Sequence, residues 1–115
     1  MSELESKRQH RKEMNERILA KGGKVVRRFM ALDQQAYEDG MIPKEYKELM
    51  GLVASLVSRC EECIFYHLDQ CVSHGITDEE LDEAFGIALV VGGSVVIPHV
   101  RYAKDILAQM REETM

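Results

Sequence analysis

Three cysteines stand within twelve positions of this chain, Cys60, Cys63 and Cys71, and His67 follows the second of them by one helical turn. Two cysteines three residues apart at a helix start can close a small disulfide. The free N–H groups and the helix dipole there stabilise thiolates, and the thiolate is the species that attacks peroxides and disulfides. His67 is in reach of Cys63, to take its proton or to hold it by hydrogen bond. Glu61 and Glu62 oppose this, because nearby negative charge raises a thiol pKa.

The same segment suits zinc, since Cys60, Cys63, His67 and His74 are legitimate ligands. One straight helix usually supplies two ligands to a tetrahedral site, and the chain has no second Cys-x-x-Cys or His pair. A closed zinc site would therefore need a subunit interface. On these residues alone the redox and zinc readings both stand. Covalent haem attachment is excluded, because His does not directly follow Cys63. Cys71 by itself reads as a buried small hydrophobe, His74 as a helix-end residue facing the dipole, and Glu48 as a solvated helix residue. His10 and His99 fit no pattern.

The elements that must position these residues are helical almost throughout. Glu3 to about Ala20 is helix-friendly but weakly amphipathic, Gly22-Gly23 marks a break, and Val25 to Tyr37 reads as a second helical piece. After a turn at Asp39-Gly40, a helix opens at Pro43 with an apolar stripe of Tyr46, Leu49, Met50, Val53, Leu56 and Val57. Its other side holds Gly51, Ala54, Ser55 and Ser58, small enough to admit a neighbouring helix, with Glu48 at the edge of that side. Ser58-Arg59-Cys60-Glu61 fits a capping box opening the cysteine helix, which Gly75 ends in the left-handed conformation. On that helix, at about 100° per residue, Cys63, His67, Cys71 and His74 share one stripe. Thr77-Asp78-Glu79-Glu80 is a second capping box, ahead of a buried face of Leu81, Ala84, Phe85, Ala88 and Leu89. After Gly92-Gly93, Ser94 or Ile97-Pro98 begins a last helix carrying Val100, Ala103, Ile106, Leu107 and Met110. The fold class is all-α, a bundle of five or six helices. Residues 1–42 read as an N-terminal helical segment and 43–115 as the core.

Composition narrows the function classes. The chain has 115 residues, 45% apolar and 30% charged, with two prolines and no tryptophan. Disordered and collagenous classes are excluded, and no apolar run reaches the roughly 18–20 residues of a membrane span. Met1-Ser2-Glu3-Leu4-Glu5 does not read as a signal peptide, so a cytoplasmic location is expected. No glycine-rich nucleotide fingerprint is present, and no bound cofactor is expected. The first 50 residues carry 11 Lys/Arg against 9 Asp/Glu, and the remainder 4 against 11. The basic excess lies between Lys7 and Arg28. It reads as a solvated helix face, interrupted by Glu13 and Glu16. Nucleic acid is not an expected partner, because the acidic remainder would repel phosphate.

Glu48, then Cys60-x-x-Cys63-x-x-x-His67, then Gly75-Ile76-Thr77-x-Glu79-Glu80-Leu81 resembles the alkylhydroperoxidase AhpD-like branch of the carboxymuconolactone decarboxylase superfamily. The resemblance runs from about Tyr46 to Ala108, and the region before Glu45 shows no match. It implies an all-α fold assembled as trimers or hexamers. It also implies a disulfide-forming pair in which Cys63 attacks and Cys60 resolves, with His67 and Glu48 as the proton relay that activates Cys63. The expected substrate is a hydroperoxide, and the expected reductant an external dithiol. The best-known members carry a histidine just before the second cysteine, where this chain has Glu62. The cysteine pair disfavours lactone decarboxylation, since the decarboxylase branch typically lacks it. The alternative is a non-catalytic zinc-binding or scaffold protein using Cys60, Cys63 and His67.

Overall fold

The computed structural model describes residues 1–114. They form six α-helices and one 3-10 turn, with no strand among the described residues. The chain divides into two units, Met1–Glu38 and the residues from Asp39 onward. In the first, α1 (Glu3–Lys21) starts on a capping box: the Ser2 hydroxyl accepts the Glu5 N–H, and the Glu5 carboxylate accepts the Ser2 N–H. It is polar around most of its circumference and buries Leu4 alone. α2 (Gly23–Ala36) buries no residue and leaves Val25, Phe29 and Leu32 exposed at helical spacing.

The second unit holds α3 (Lys44–Ser58), α4 (Glu61–Ser73), α5 (Asp78–Gly92), a 3-10 turn (Ser94–Val96) and α6 (Ile97–Glu113). α4 packs on α3 and α6, and α5 packs on α3. Leu52, Leu56, Ile64, Leu68, Leu81, Phe85, Val96 and Ile106 are buried in its core, each stabilising the fold by about 1.5–3 kcal/mol of transfer free energy. α4 ends as expected, with Gly75 at φ +85° in the left-handed region. The Thr77–Glu80 capping box forms in both directions, at 3.2 and 2.9 Å. Arg111 near the end of α6 ties down the α4–α5 connection, bonding the Asp78 carboxylate at 2.9 Å and the Ile76 carbonyl at 3.0 Å.

One local expectation is corrected. Ser58 does not cap α4, because its hydroxyl donates back to the Ala54 carbonyl at 2.8 Å as the last residue of α3. Arg59 then takes the left-handed conformation (φ 58°) that closes α3, and Cys60 becomes the N-cap of α4. The packed face of α3 is its small-residue side, joined by Leu52 and by Leu56 from the apolar stripe. Glu48, Gly51, Leu52, Ser55 and Leu56 are buried, whereas Tyr46 and Met50 are exposed and Leu49, Val53 and Val57 half-buried. The small residues let α4 and α5 approach this side of α3, and Ser55 satisfies its buried hydroxyl on the Gly51 carbonyl at 2.6 Å.

Candidate active site

The tight passage from α3 into α4 places both cysteines at a helix start. Cys60 is the cap, and Cys63, in the first turn, donates its N–H to the Cys60 sulfur at 3.3 Å. The two sulfurs are joined as a disulfide, with the Cα atoms 5.3 Å apart. Cys63 is exposed and Cys60 half-buried. Both sulfurs therefore sit where unpaired N–H groups and the positive end of a helix dipole favour negative charge.

One turn further along α4, His67 turns toward α3. Its Nδ1 lies 2.8 Å from Oε1 of Glu48, a carboxylate with no exposed surface. The other carboxylate oxygen accepts a bond from the Lys44 ammonium at 2.9 Å. A carboxylate removed from water is costly unless charge and hydrogen bonds meet it, and here an imidazole and an ammonium do so from two helices. The bond to Glu48 raises the Lys44 pKa above its ordinary value, against the opposing pull of partial burial. The Tyr66 ring stands edge-on to the imidazole, centroids 5.0 Å apart.

All four sequence-derived site residues are placed within this α3–α4 corner: Cys60 and Cys63 bonded to each other, Glu48 and His67 hydrogen-bonded across 19 positions of chain. The expectation for Glu48 taken alone, a solvated residue, is overturned by its complete burial. Cys71 lies further along the stripe, fully buried, and its thiol is pushed up to about 12, first by burial and then by the nearby Glu48 charge. His74 closes its helix, with Nδ1 2.9 Å from the Gln70 carbonyl. Among the described residues, no three His, Cys, Asp or Glu side chains are grouped so as to hold a metal ion. Two features escaped the sequence. Lys44 could have been found from its place four residues before Glu48. The approach of His99 to Glu61, with Nδ1 3.6 Å from Oε2, joins α6 to α4 and had no sequence signal.

The model of the carboxymuconolactone decarboxylase family matches residues 23–105. The chain belongs to that family. The match begins within the N-terminal stretch that carries no recognisable motif, so the family's extent includes α2. Two crystal structures of a Thermotoga maritima protein are 50% identical to the chain. One has a TM-score of 0.92, covering 95% of this chain and 96% of that one. The other has a TM-score of 0.90, covering 93% and 91%; it is described as a carboxymuconolactone decarboxylase family protein, for which a part in the antioxidative response has been suggested. A family member from Legionella pneumophila shares the fold at a TM-score of 0.84 and 23% identity, covering 95% of this chain and 97% of that one. An uncharacterised Cupriavidus necator protein is 31% identical over 80 residues, which is 70% of this chain and 68% of that protein. No helix of the described residues is long and apolar enough to cross a membrane.

Proposed function

We propose that this family member is a thiol–disulfide oxidoreductase that reduces hydroperoxides in the cytoplasm. The observation that carries the proposal is the hydrogen bond from buried Glu48 on α3 to His67 on α4, the helix whose start holds the Cys60–Cys63 disulfide. The part suggested for the Thermotoga maritima relative in the antioxidative response supports the same reading. In the reduced protein Glu48 holds the imidazole through Nδ1, so proton exchange falls to Nε2. His67 takes the Cys63 proton, and the exposed Cys63 thiolate attacks the outer oxygen of a hydroperoxide. The O–O bond breaks, Cys63 becomes a sulfenic acid, and the leaving alkoxide takes the proton back from His67 to depart as the alcohol. The Cys60 thiol then displaces hydroxide from the Cys63 sulfur, giving the disulfide and water. An external dithiol reduces that disulfide and is itself oxidised, returning two thiols. No bound cofactor enters the cycle.

The natural partner besides substrate and reductant is a second copy of this chain, in a trimer or hexamer. The exposed apolar stripe of α3 and the neighbouring Ile87 and Val90 of α5 line an open groove of about 950 Å³ that such a copy would cover.

The test is mass spectrometry of the reduced protein after one equivalent of hydroperoxide. The wild type should lose two hydrogens, mapped to a Cys60–Cys63 disulfide. Cys60→Ser should stop at the sulfenic acid, and Cys63→Ser should consume no peroxide. Glu48→Gln should slow the oxidation by about a hundredfold, the lower range of what a positioned acid–base group contributes. Wild-type peroxide consumption by Cys63→Ser overturns the proposal.

A further inference from the structure

α6 opens with Ile97, Pro98 and His99 and packs against α4. The His99 Nδ1 is buried from solvent and has no hydrogen-bond partner. The Glu61 carboxylate lies 3.6 Å away, too far for a hydrogen bond. Unsatisfied buried nitrogens are rare enough in folded proteins to call for a cause. Glu61 immediately follows Cys60, and its side chain is 54% exposed, free to rotate toward the imidazole. A carboxylate at this position opposes the thiolate state of the adjacent cysteine, so a group that binds the carboxylate relieves that opposition.

We propose that His99 is a positioning residue for the thiol pair. With its proton on Nδ1 it donates to Glu61, draws the carboxylate toward α6 and reduces its charge at Cys60. The consequence is a Cys60 thiolate, and with it a reduced pair above the thiol pKa, more stable than the two acidic residues at the helix start would otherwise allow. This inference rests on the thiol–disulfide reading of Cys60 and Cys63.

The measurement is the equilibrium of the Cys60–Cys63 pair with reduced and oxidised glutathione at about pH 9.5, above the ordinary thiol pKa, read by alkylation and mass. His99→Leu removes the donor and should shift the balance toward the disulfide by about threefold to tenfold, the size of a nearby charge in a partly solvated site. His99→Gln, which keeps an N–H donor, should recover part of that shift. Glu61→Gln should move the balance the other way, toward the dithiol. In a Glu61→Gln background the His99→Leu change should no longer matter, an outcome that a purely structural role for His99 would not produce. Equal constants for the wild type and His99→Leu overturn the inference and leave the redox reading standing, as does an undiminished effect of His99→Leu in the Glu61→Gln background. Should His99→Leu fail to fold, Glu61→Gln alone decides, and an unshifted constant overturns the inference. A wild-type pair that forms no disulfide at any glutathione ratio overturns both.

Discussion

Cys71 shares a helical stripe with Cys63 and His67, yet its chemistry is opposite. Cys63 is exposed at the helix start, whereas Cys71 is fully buried and its thiol is pushed up to about 12. The thiolate is the reactive form, so Cys71 should resist alkylation in the native protein and should take no part in the disulfide. Its titration also has a signature in stability. From an ordinary value of 9.0 the folded-state pKa is raised, so above pH 9 the unfolded chain loses this proton first. The contribution is complete below pH 9 and declines between pH 9 and 12, by about 1.4 kcal/mol per pH unit. Urea unfolding at pH 8, 9 and 10 should show a steeper loss for the wild type than for Cys71→Ala, with the Cys60–Cys63 disulfide kept oxidised in both. Parallel curves would show that the thiol is not desolvated as the structure has it.

The helices are joined by connections that tolerate little change. α5 runs to Gly92, and the chain then turns through Gly93 into the 3-10 turn that carries the buried Val96. A Cβ at residue 92 would run into the Val96 side chain and come 3.6 Å from that of Val57 on α3. Gly92→Ala should therefore destabilise the protein by about 1–3 kcal/mol, the usual range for overpacking a filled site, as read from the midpoint of chemical denaturation. An unchanged midpoint would mean that Val96 has room to move. The passage between α3 and α4 is equally confined. Arg59 holds a left-handed conformation that costs a non-glycine residue roughly 1 kcal/mol or more, and this turn makes Cys60, not Ser58, the cap of the cysteine helix.

On the scale of the molecule, the exposed apolar groove between α3 and α5 is, with the exposed face of α2, a feature that a lone chain leaves unaccounted for. Tyr46, Met50, Ile87 and Val90 are all exposed along it, with Glu80 and Glu83 also lining it. Contiguous apolar surface of this kind marks interaction sites. With a second copy as the occupant, Val90→Glu should shift the protein to a smaller species by light scattering coupled to size exclusion. The helical content should stay unchanged, because the Val90 side chain is 86% exposed. A wild type that is already monomeric at high concentration would sink the assignment of this groove.

Features set by near neighbours were legible from the residues alone. The all-α class, the Thr77–Glu80 capping box, the left-handed Gly75 and the buried face of α5 each depend on interactions a few positions apart, and each is found, save that Leu89 of that face is only half-buried. The cysteine pair was legible for the same reason, as was the one-turn spacing from Cys63 to His67. Glu48 entered only through the resemblance, since a carboxylate on a helix carries no local mark of burial. Its pairing with His67 spans 19 positions and exists because α3 packs its small-residue side on α4. Which side of α3 would pack was undecidable from its pattern, because one side had the large apolar residues and the other the room for close approach. His99 is the extreme case, brought beside Glu61 across the α4–α6 contact with nothing in the intervening sequence to mark it. Hydrogen bonds and caps within a helix follow from spacing, but burial and partnership between helices follow from which surfaces meet, and only the folded chain decides that.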